Sequence, residues 1–276
     1  MKFLKYLSEI LFPSTCVTCG RAISEVDNLF CGKCITETVF TNIISAQENE
    51  MMDRLNSIPN LKGAYAPLYF KKDAPIKELF YKIKYGNRPD IAQKMASFTA
   101  LLWQQIKKDP LPVDGICFVP IHKIKLSKRG YNQSEIIARE IATRLSIPLL
   151  NILERNANIE TQTHFGRMAR LENQEGTIRL TSDITKVKHL LIIDDILTTG
   201  ATIEICYDAI KKQNNTCFLS VLTLALTDSW WLTKYCNITI FKNWFIVIAK
   251  SPDHLYIHPR IDFKIFEHSI PFWINI

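Results

Sequence analysis

Two adjacent carboxylates carry the clearest chemical signal in this sequence. Asp194 and Asp195 follow a short apolar run that starts at Leu190, which predicts a buried parallel strand with both carboxylates at its C-terminal edge. Open α/β sheets bind their ligands at that edge. Carboxylates are poor ligands for phosphate, but they accept hydrogen bonds well from a vicinal diol. The pair therefore indicates a site for a sugar with two neighbouring hydroxyls.

A hydroxyl-rich turn follows the carboxylates directly. Its residues are Thr198, Thr199, Gly200, Ala201 and Thr202. Such a turn can present successive backbone N–H groups and three hydroxyls to one anion, and the helix behind it adds partial positive charge. A ribose diol beside a 5-phosphate would satisfy the carboxylates and the turn together. The simpler alternative is a strand that ends in a capped helix, with Thr198 or Thr199 as the cap.

A group of basic residues follows another apolar run, Gly115–Ile121, which we predict to be a buried strand. The group consists of His122, Lys123, Lys125, Lys128 and Arg129. Because the carboxyl ends of parallel strands meet at one edge of a sheet, we expect these side chains on a loop beside the carboxylates. There they would offer positive charge to a phosphorylated ligand. The alternative is a solvated basic loop without a ligand, and His122 alone is weak support for a site.

Four of the eight cysteines form two close pairs in the N-terminal part of the chain. The pairs are Cys16 with Cys19, and Cys31 with Cys34. Two C-x-x-C pairs can close a tetrahedral site of four thiolates, which is typical of structural zinc. The protein would fill all four positions and leave none for water, so we predict a structural metal. Buried thiols or a redox pair are the alternatives. The other cysteines are isolated and are interpreted as core thiols: Cys117, Cys206, Cys217 and Cys236.

Apolar periodicity predicts the elements that must position these residues. Strands are expected at Gly63–Phe70, Gly115–Ile121, His189–Ile193 and Cys217–Leu226. Helices are expected at Ala74–Lys84, Pro89–Lys107, Asn132–Leu145 (with Asn132 or Ser134 as the cap) and Ala201–Lys212. Because strands alternate with helices, we predict an α/β domain with a mostly parallel sheet over residues 61–228.

The rest of the chain divides into three further parts. Residues 1–45 would form an N-terminal helix and the four-cysteine module, and the polar residues 46–60 would form a connector. Residues 229–276 form a C-terminal extension with 11 aromatic residues among 48. This extension could add a hood to the domain, but an extension without a catalytic role is the simpler interpretation.

Composition narrows the class of protein. The chain has 276 residues, is 47% hydrophobic and 22% charged, and carries a net charge of +7. These values exclude disordered, collagen-like and disulfide-stapled proteins, and the positive charge suits nucleic acids, nucleotides or phosphorylated metabolites. No apolar stretch reaches the roughly 18 residues that a membrane span needs. No cleavage site follows the apolar segment Met1–Pro13, so we expect an amphipathic helix there and a cytoplasmic protein.

The segment from Leu190 to Thr202 resembles the 5-phosphoribosyl-1-diphosphate (PRPP) signature of type I phosphoribosyltransferases. These enzymes share a parallel-sheet core, so the resemblance implies the same core here. It also implies that Asp194 and Asp195 contact the ribose hydroxyls and that Thr198–Thr202 cradles the 5-phosphate.

A second segment narrows the resemblance to one family. Val119–Gln133 reads VPIHKIKLSKRGYNQ and resembles a block of the ComF competence-protein family. Further similarities are the Ile83–Gly86 pattern within Ala64–Arg88, Arg155 followed by Thr161–Thr163 and Arg170–Asn173, and the four-cysteine module. Together they cover about residues 10–228. The implied fold is a type I phosphoribosyltransferase-like parallel sheet with a small N-terminal zinc module.

The resemblance implies two competing functions. As an enzyme, the protein would bind PRPP with Mg²⁺ and transfer the phosphoribosyl group to an acceptor, with no covalent nucleophile. The pyrophosphate would then lie against the basic group His122, Lys123, Lys125, Lys128 and Arg129. As a non-catalytic competence factor, it would bind single-stranded DNA and partner proteins such as a helicase during DNA uptake.

Overall fold

The computed structural model describes residues 14–23, 29–41, 43–106, 112–155 and 178–227, together with the backbone of three strands between 236 and 258. The Met1–Pro13 helix predicted from the sequence lies outside the described residues, as do Thr161–Thr163 and Arg170–Asn173. The described chain divides into two units, residues 1–228 and 229–276. No helix in the described ranges is long and apolar enough to cross a membrane.

The first unit contains seven described helices and seven strands. The N-terminal half holds α1 (Gly32–Glu37), α2 (Glu50–Arg54), β1 (Leu61–Tyr65), β2 (Leu68–Phe70), α3 (Ile76–Tyr85), α4 (Pro89–Ile106) and β3 (Gly115–Phe118). The C-terminal half holds α5 (Lys123–Arg129), α6 (Gln133–Leu145), β4 (Leu153–Arg155), β5 (Ile178–Leu180), β6 (His189–Leu197), α7 (Ala201–Lys211) and β7 (Phe218–Thr227).

A parallel sheet forms the centre of this unit, as predicted. Its strands lie in the order β1-β7-β6-β3, and β2 pairs in parallel with the last residues of β7. Phe118 of β3 pairs with Ile193 of β6, so both strands reach the same edge. The strands β4 and β5 form a separate antiparallel pair.

Alternating side chains of the central strands fill two apolar clusters on opposite faces of the sheet. Leu191 and Ile193 pack on one face with buried residues of α3, α4 and α6. Leu190 and Ile192 pack on the other face with buried residues of α2 and α7. Burial on both faces explains why β6 reads as a continuous apolar run until the carboxylates begin.

Several element boundaries differ from the sequence prediction. The strand predicted at Gly63–Phe70 is divided into β1 and β2, and the strand predicted to end at Ile193 continues to Leu197 because it stays paired with β7. The polar segment 46–60 contains α2, whose N-cap Asn49 accepts hydrogen bonds from the backbone of Met51 and Met52. Short polar segments of this kind have too few residues for apolar periodicity to be visible.

The segment predicted as a basic loop is a helix, α5. The ring of His122 caps its N-terminus by accepting a hydrogen bond from the N–H of Ile124. At the other end, Gly130 adopts a left-handed conformation, with φ of 78°, and donates its N–H to the carbonyl of Leu126. A cap at each end of a segment without an internal glycine or proline accounts for the helix.

The second unit is a three-stranded antiparallel sheet. It consists of β8 (Cys236–Phe241), β9 (Trp244–Lys250) and β10 (Leu255–His258), in the order β10-β9-β8. The side chain of Cys236 is outside the described residues. The other three isolated cysteines, Cys117, Cys206 and Cys217, are buried core thiols as predicted.

Candidate phosphoribosyl and metal sites

The carboxylate pair lies near the end of β6, where the sequence placed it. Asp194 Oδ1 accepts hydrogen bonds from the Ser134 hydroxyl and from the N–H of Asp195, both at 2.8 Å. Asp195 Oδ1 accepts from the N–H of Ile196 at 2.7 Å. These bonds hold both carboxylates firmly at the carboxyl edge of the parallel sheet.

A lysine from α3 neutralises part of this negative charge. Lys84 Nζ lies 3.0 Å from Asp195 Oδ2, and the Asp195 side chain is only 7% exposed. Among the described residues, Oδ2 is a buried acceptor that has an ion pair with Lys84 but no hydrogen-bond donor. An acceptor of this kind suits a ligand hydroxyl that donates into the site.

The two carboxylates differ electrostatically. Burial, followed by the nearby charge of Asp195, raises the pKa of Asp194 to about 7. The hydrogen bonds from the Asp195 N–H and the Ser134 hydroxyl, and the charge of Lys84, act in the opposite direction. Asp194 therefore changes charge near neutral pH, a property common among functional carboxyl groups.

The turn after β6 is formed by Thr198, Thr199 and Gly200 and leads directly into α7. Thr198 and Thr199 are exposed, whereas Gly200 is buried and adopts a left-handed conformation with φ of 90°. Thr199 Oγ1 accepts a long hydrogen bond of 3.5 Å from the N–H of Ala201, but the N-cap position itself is held by Gly200. The first N–H groups of α7 have no acceptor within the helix and face the region of the turn.

The basic residues lie at the same sheet edge as the carboxylates, but most of them are exposed. Lys123, Lys125 and Lys128 are exposed on α5, and among the described contacts none joins them to Asp194 or Asp195. Because α5 follows β3, the neighbour of β6, the helix nevertheless lies at the same sheet edge. The ring of His122 caps the N-terminus of the helix.

The segment after α5 links the elements around the carboxylates. The Tyr131 hydroxyl donates to the carbonyl of Ile83 in α3, and Asn132 donates to the carbonyl of Val119 at 3.1 Å. Asn132 also caps α6 by accepting from the N–H of Ser134, whose hydroxyl bonds Asp194. This part of the ComF-like block therefore positions Ser134 and α3.

Lys84 and Ser134 cannot be identified as site residues from the sequence alone. Lys84 stood within the Ile83–Gly86 pattern, and Ser134 was considered only as a cap. Their contacts with the carboxylates come from elements distant in sequence. A strand-end carboxylate pair does require a compensating donor or cation, but the sequence does not say which residue supplies it.

The four paired cysteines converge, as predicted. Their Sγ atoms all lie within 4.8 Å of one another, and those of Cys19 and Cys31 are 3.7 Å apart. A tetrahedral zinc–thiolate site with bonds of about 2.3 Å requires sulfur separations of about 3.8 Å. The donor set and its spacing therefore fit a zinc ion, and the described cysteines form no disulfide.

The two halves of this cysteine cluster have different local structures. Cys16 and Cys19 lie in a tight turn that Gly20 closes with φ of 76°, and Cys31 is the N-cap of α1. Gly32 is an ordinary first residue of α1 and does not have a positive φ. Although burial opposes it, donation from the backbones of Cys19, Cys31 and Thr18 holds the pKa of Cys16 at about 6.

Comparisons with known proteins agree with this geometry. Residues 132–256 match the family described as "Phosphoribosyl transferase domain". The chain is 26% identical over 144 residues to "Competence protein F" of Haemophilus influenzae; the aligned part covers 50% of this chain and 62% of that protein. The family match begins after α5 and continues beyond residue 228, where the resemblance was expected to end.

Solved phosphoribosyltransferases are more distant. Glutamine PRPP amidotransferase from B. subtilis is 15% identical, with a TM-score of 0.36, over 52% of this chain and 30% of that one. A hypoxanthine phosphoribosyltransferase from Staphylococcus aureus is 18% identical, with a TM-score of 0.32, over 48% of this chain and 62% of that one.

The parallel sheet with helices on both faces and the match over residues 132–256 show a phosphoribosyltransferase-like fold. The converging four-cysteine cluster and the similarity to "Competence protein F" agree with the resemblance to ComF proteins.

Proposed function

We propose that this protein binds PRPP together with Mg²⁺ and transfers its phosphoribosyl group to an acceptor. The observation that supports this most directly is the half-buried Asp194 and the buried Asp195, followed closely by the Thr198–Gly200 turn at the start of α7. A ribose diol beside a 5-phosphate matches that order of groups. We expect the protein to be located in the cytoplasm.

The residues of the site have distinct roles in the proposed reaction. Asp194 and Asp195 accept hydrogen bonds from the ribose hydroxyls. At Asp195 Oδ2, a ribose hydroxyl displaces the Lys84 ammonium group. The residues that bind the 5-phosphate are Thr198, Thr199, Gly200, Ala201 and Thr202. The residues that we place beside the pyrophosphate are His122, Lys123, Lys125, Lys128 and Arg129. His122 caps α5 as an acceptor, so the positive charge comes from the three exposed lysines and Arg129.

In the transfer step, the acceptor's lone pair forms a bond to C1 of the ribose while the bond from C1 to the pyrophosphate oxygen breaks. Pyrophosphate leaves with the bonding electrons, and positive charge develops on the sugar. When bound with PRPP, Mg²⁺ supplies charge neutralisation for the leaving group. The protein supplies position and electrostatic stabilisation, so no covalent nucleophile is needed.

We further propose that Cys16, Cys19, Cys31 and Cys34 hold a structural zinc ion. Four protein ligands leave no open position for a substrate or water. The cluster also shares the apolar core of the sheet domain, where Cys16, Cys31 and Cys34 pack with residues of α3 and α4. The metal would therefore stabilise the framework of the PRPP site instead of taking part in the reaction.

A specific observation also favours single-stranded DNA as a ligand. Tyr81 and Tyr85 are 56% and 64% exposed, and their ring centroids are 5.4 Å apart. The Arg129 guanidinium lies 5.0 Å from the centre of the Tyr85 ring. Exposed aromatic rings beside basic residues are the usual platform for stacked bases. This surface supports the second candidate function, a DNA-binding competence factor with partners such as a helicase.

One paired experiment separates the two functions. Pyrophosphate release from PRPP is measured with nitrogen bases and amines as acceptors, and single-stranded DNA binding is measured in parallel over a range of salt. We expect acceptor-dependent release that Asp194→Asn/Asp195→Asn abolishes and that Asp208→Asn, an exposed carboxylate on α7, leaves intact.

The DNA function predicts a different outcome of that experiment. Affinity would fall with salt with a log–log slope of about −0.7 per phosphate neutralised, and Lys125→Ala/Lys128→Ala would flatten the slope. If the protein binds single-stranded DNA but releases no pyrophosphate with any acceptor, the DNA-binding function would replace phosphoribosyl transfer as the proposed function. A salt-independent interaction would remove α5 from a DNA interface.

A further inference from the structure

A buried arginine lies directly behind the turn that we assign to the 5-phosphate. Arg54 is the last residue of α2, within the polar segment 46–60 that was predicted to be a connector. Its side chain is 0% exposed. Its Nη1 donates to the carbonyl of Thr198 at 3.1 Å. An arginine with no contact to solvent and a bond to the turn's first carbonyl is placed to control that turn.

The same guanidinium also holds the end of the neighbouring strand. Nη1 donates to Thr227 Oγ1 at 3.1 Å and Nη2 donates to the Thr227 carbonyl at 2.7 Å. Glu50, one helical turn earlier, lies 3.6 Å away and balances the charge. Because a guanidinium is planar and carries its donors in a fixed fork, these contacts fix the ends of β6 and β7 relative to each other.

Two further contacts press α2 against the turn. A Cβ at Gly200 would lie 2.8 Å from Leu55 Cδ2 and 3.4 Å from the Arg54 carbonyl, and the φ of 90° at this position also favours glycine. The Ser57 hydroxyl donates to Glu204 Oε1 of α7 at 2.6 Å. The segment from Arg54 to Ser57 therefore forms the back wall of the turn.

The bond from Arg54 to Thr198 also determines where the next N–H points. In a trans peptide the C=O of one residue and the N–H of the next point in opposite directions, and the described chain contains no cis peptide bond. With the Thr198 carbonyl drawn inward to Arg54, the Thr199 N–H is directed outward from the turn. A phosphate bound there needs that donor.

We propose that Arg54 is a positioning residue of the phosphate turn, holding the Thr198 carbonyl so that the Thr199 N–H stays directed at the ligand. The identity of the ligand rests on the proposed function, but the restraint of the turn does not. Arg54 touches neither substrate nor metal in this role. It acts through the geometry of the peptide between Thr198 and Thr199.

The test compares Arg54→Met and Arg54→Lys with the control Met95→Ala. Met95 is fully buried in the cluster on the opposite face of the sheet, so its replacement lowers stability without removing a contact to the turn. Two quantities are measured: the ¹⁵N heteronuclear NOE of the Thr199 and Gly200 amides without ligand, and the dissociation constant of PRPP with Mg²⁺. Arg54→Lys keeps the positive charge but loses the planar set of guanidinium donors. This variant provides the test if Arg54→Met does not fold.

We expect the heteronuclear NOE of both amides to fall in the Arg54 variants and to remain at the wild-type value in Met95→Ala. We also expect PRPP affinity to fall about tenfold or more in Arg54→Met, since the turn is then no longer held in the conformation that binds the ligand. Unchanged NOE values in both Arg54 variants would overturn the proposal. If wild type binds no PRPP but the NOE values fall as expected, the positioning role stands and the proposed function fails.

Discussion

At the scale of single residues, the site depends on two carboxylates that share one compensating cation. Lys84 contacts Asp195, while Asp194 relies on the Ser134 hydroxyl and a backbone N–H. Burial, and then the charge of Asp195, raise the pKa of Asp194 to about 7, and Ser134 and Lys84 offset only part of this shift. A ligand hydroxyl that donates to Asp194 would favour the ionised form, because hydrogen bonds to a carboxylate lower its pKa.

The raised pKa of Asp194 predicts a pH-dependent loss of stability. The folded-state value of about 7 exceeds the ordinary value of 3.8, so between these values the folded state binds more protons than the unfolded state. The free energy of unfolding then falls as pH rises through this range, by up to about 1.4 kcal/mol per pH unit. Asp194→Asn, which mimics the protonated carboxyl, should lack this contribution.

Urea unfolding of wild type and Asp194→Asn from pH 4 to pH 8.5 measures the effect. The variant should gain stability relative to wild type as pH rises to about 7, and the difference should stay constant above that. Since Asp195, Lys84 and the other ionisable groups are present in both proteins, they serve as the internal control. Parallel pH profiles would show that Asp194 is ionised throughout.

At the scale of secondary-structure elements, the cysteine module and α3 form one packed framework. The Lys82 side chain donates to the Thr18 carbonyl in the turn between Cys16 and Cys19. Lys84, two residues further along α3, reaches the carboxylates on another side. A metal that orders the turn would therefore also help to hold the helix that carries Lys84.

We expect one zinc ion per chain in freshly prepared, reduced protein. Cys16→Ser or Cys34→Ser should lose the metal and lower the unfolding temperature, since metal binding contributes directly to the folding of such modules. Cys217→Ala, which removes a buried thiol away from the cluster, should keep its zinc. Elemental analysis together with thermal unfolding provides the measurement. Metal-free wild-type protein would contradict the assignment.

The sequence predicted the central elements well because each carries a strong local signal. The strand β6 is a long apolar run, and α4 repeats apolar residues at helical spacing, so the parallel sheet and its carboxylate edge followed. The short helices α2 and α5 were missed because they have few residues and polar sequences. Lys84 and Arg54 could not be placed, since their partners lie far away in sequence; Thr198 is 144 residues from Arg54.

At the scale of the whole molecule, the two units differ in architecture. Residues 1–228 contain the parallel sheet and both candidate sites, whereas the described strands of residues 229–276 form an antiparallel sheet. The family match spans residues 132–256 and so includes residues of both units. Among the residues whose side chains the structure describes, the candidate contacts for PRPP and zinc come from the first unit, so the central claim concerns that unit.

The central claim is that this protein binds PRPP at the end of β6, whether or not it transfers the group. Calorimetric titration with PRPP at millimolar Mg²⁺ tests it most directly. The titration is best done at pH 8, where Asp194, with a pKa of about 7, is ionised. Wild type and Asp194→Asn/Asp195→Asn are compared, with Asp208→Asn as the control for loss of an exposed charge.

Each charge-assisted hydrogen bond to the ribose contributes about 1.5–3 kcal/mol, so affinity should fall about tenfold or more for each contact that the double variant loses. Asp208→Asn should bind as wild type does. Saturable heat in wild type that is lost in the double variant is the result that we predict. No heat from folded wild-type protein at millimolar PRPP would contradict the account and would leave the carboxylates and the turn without this ligand.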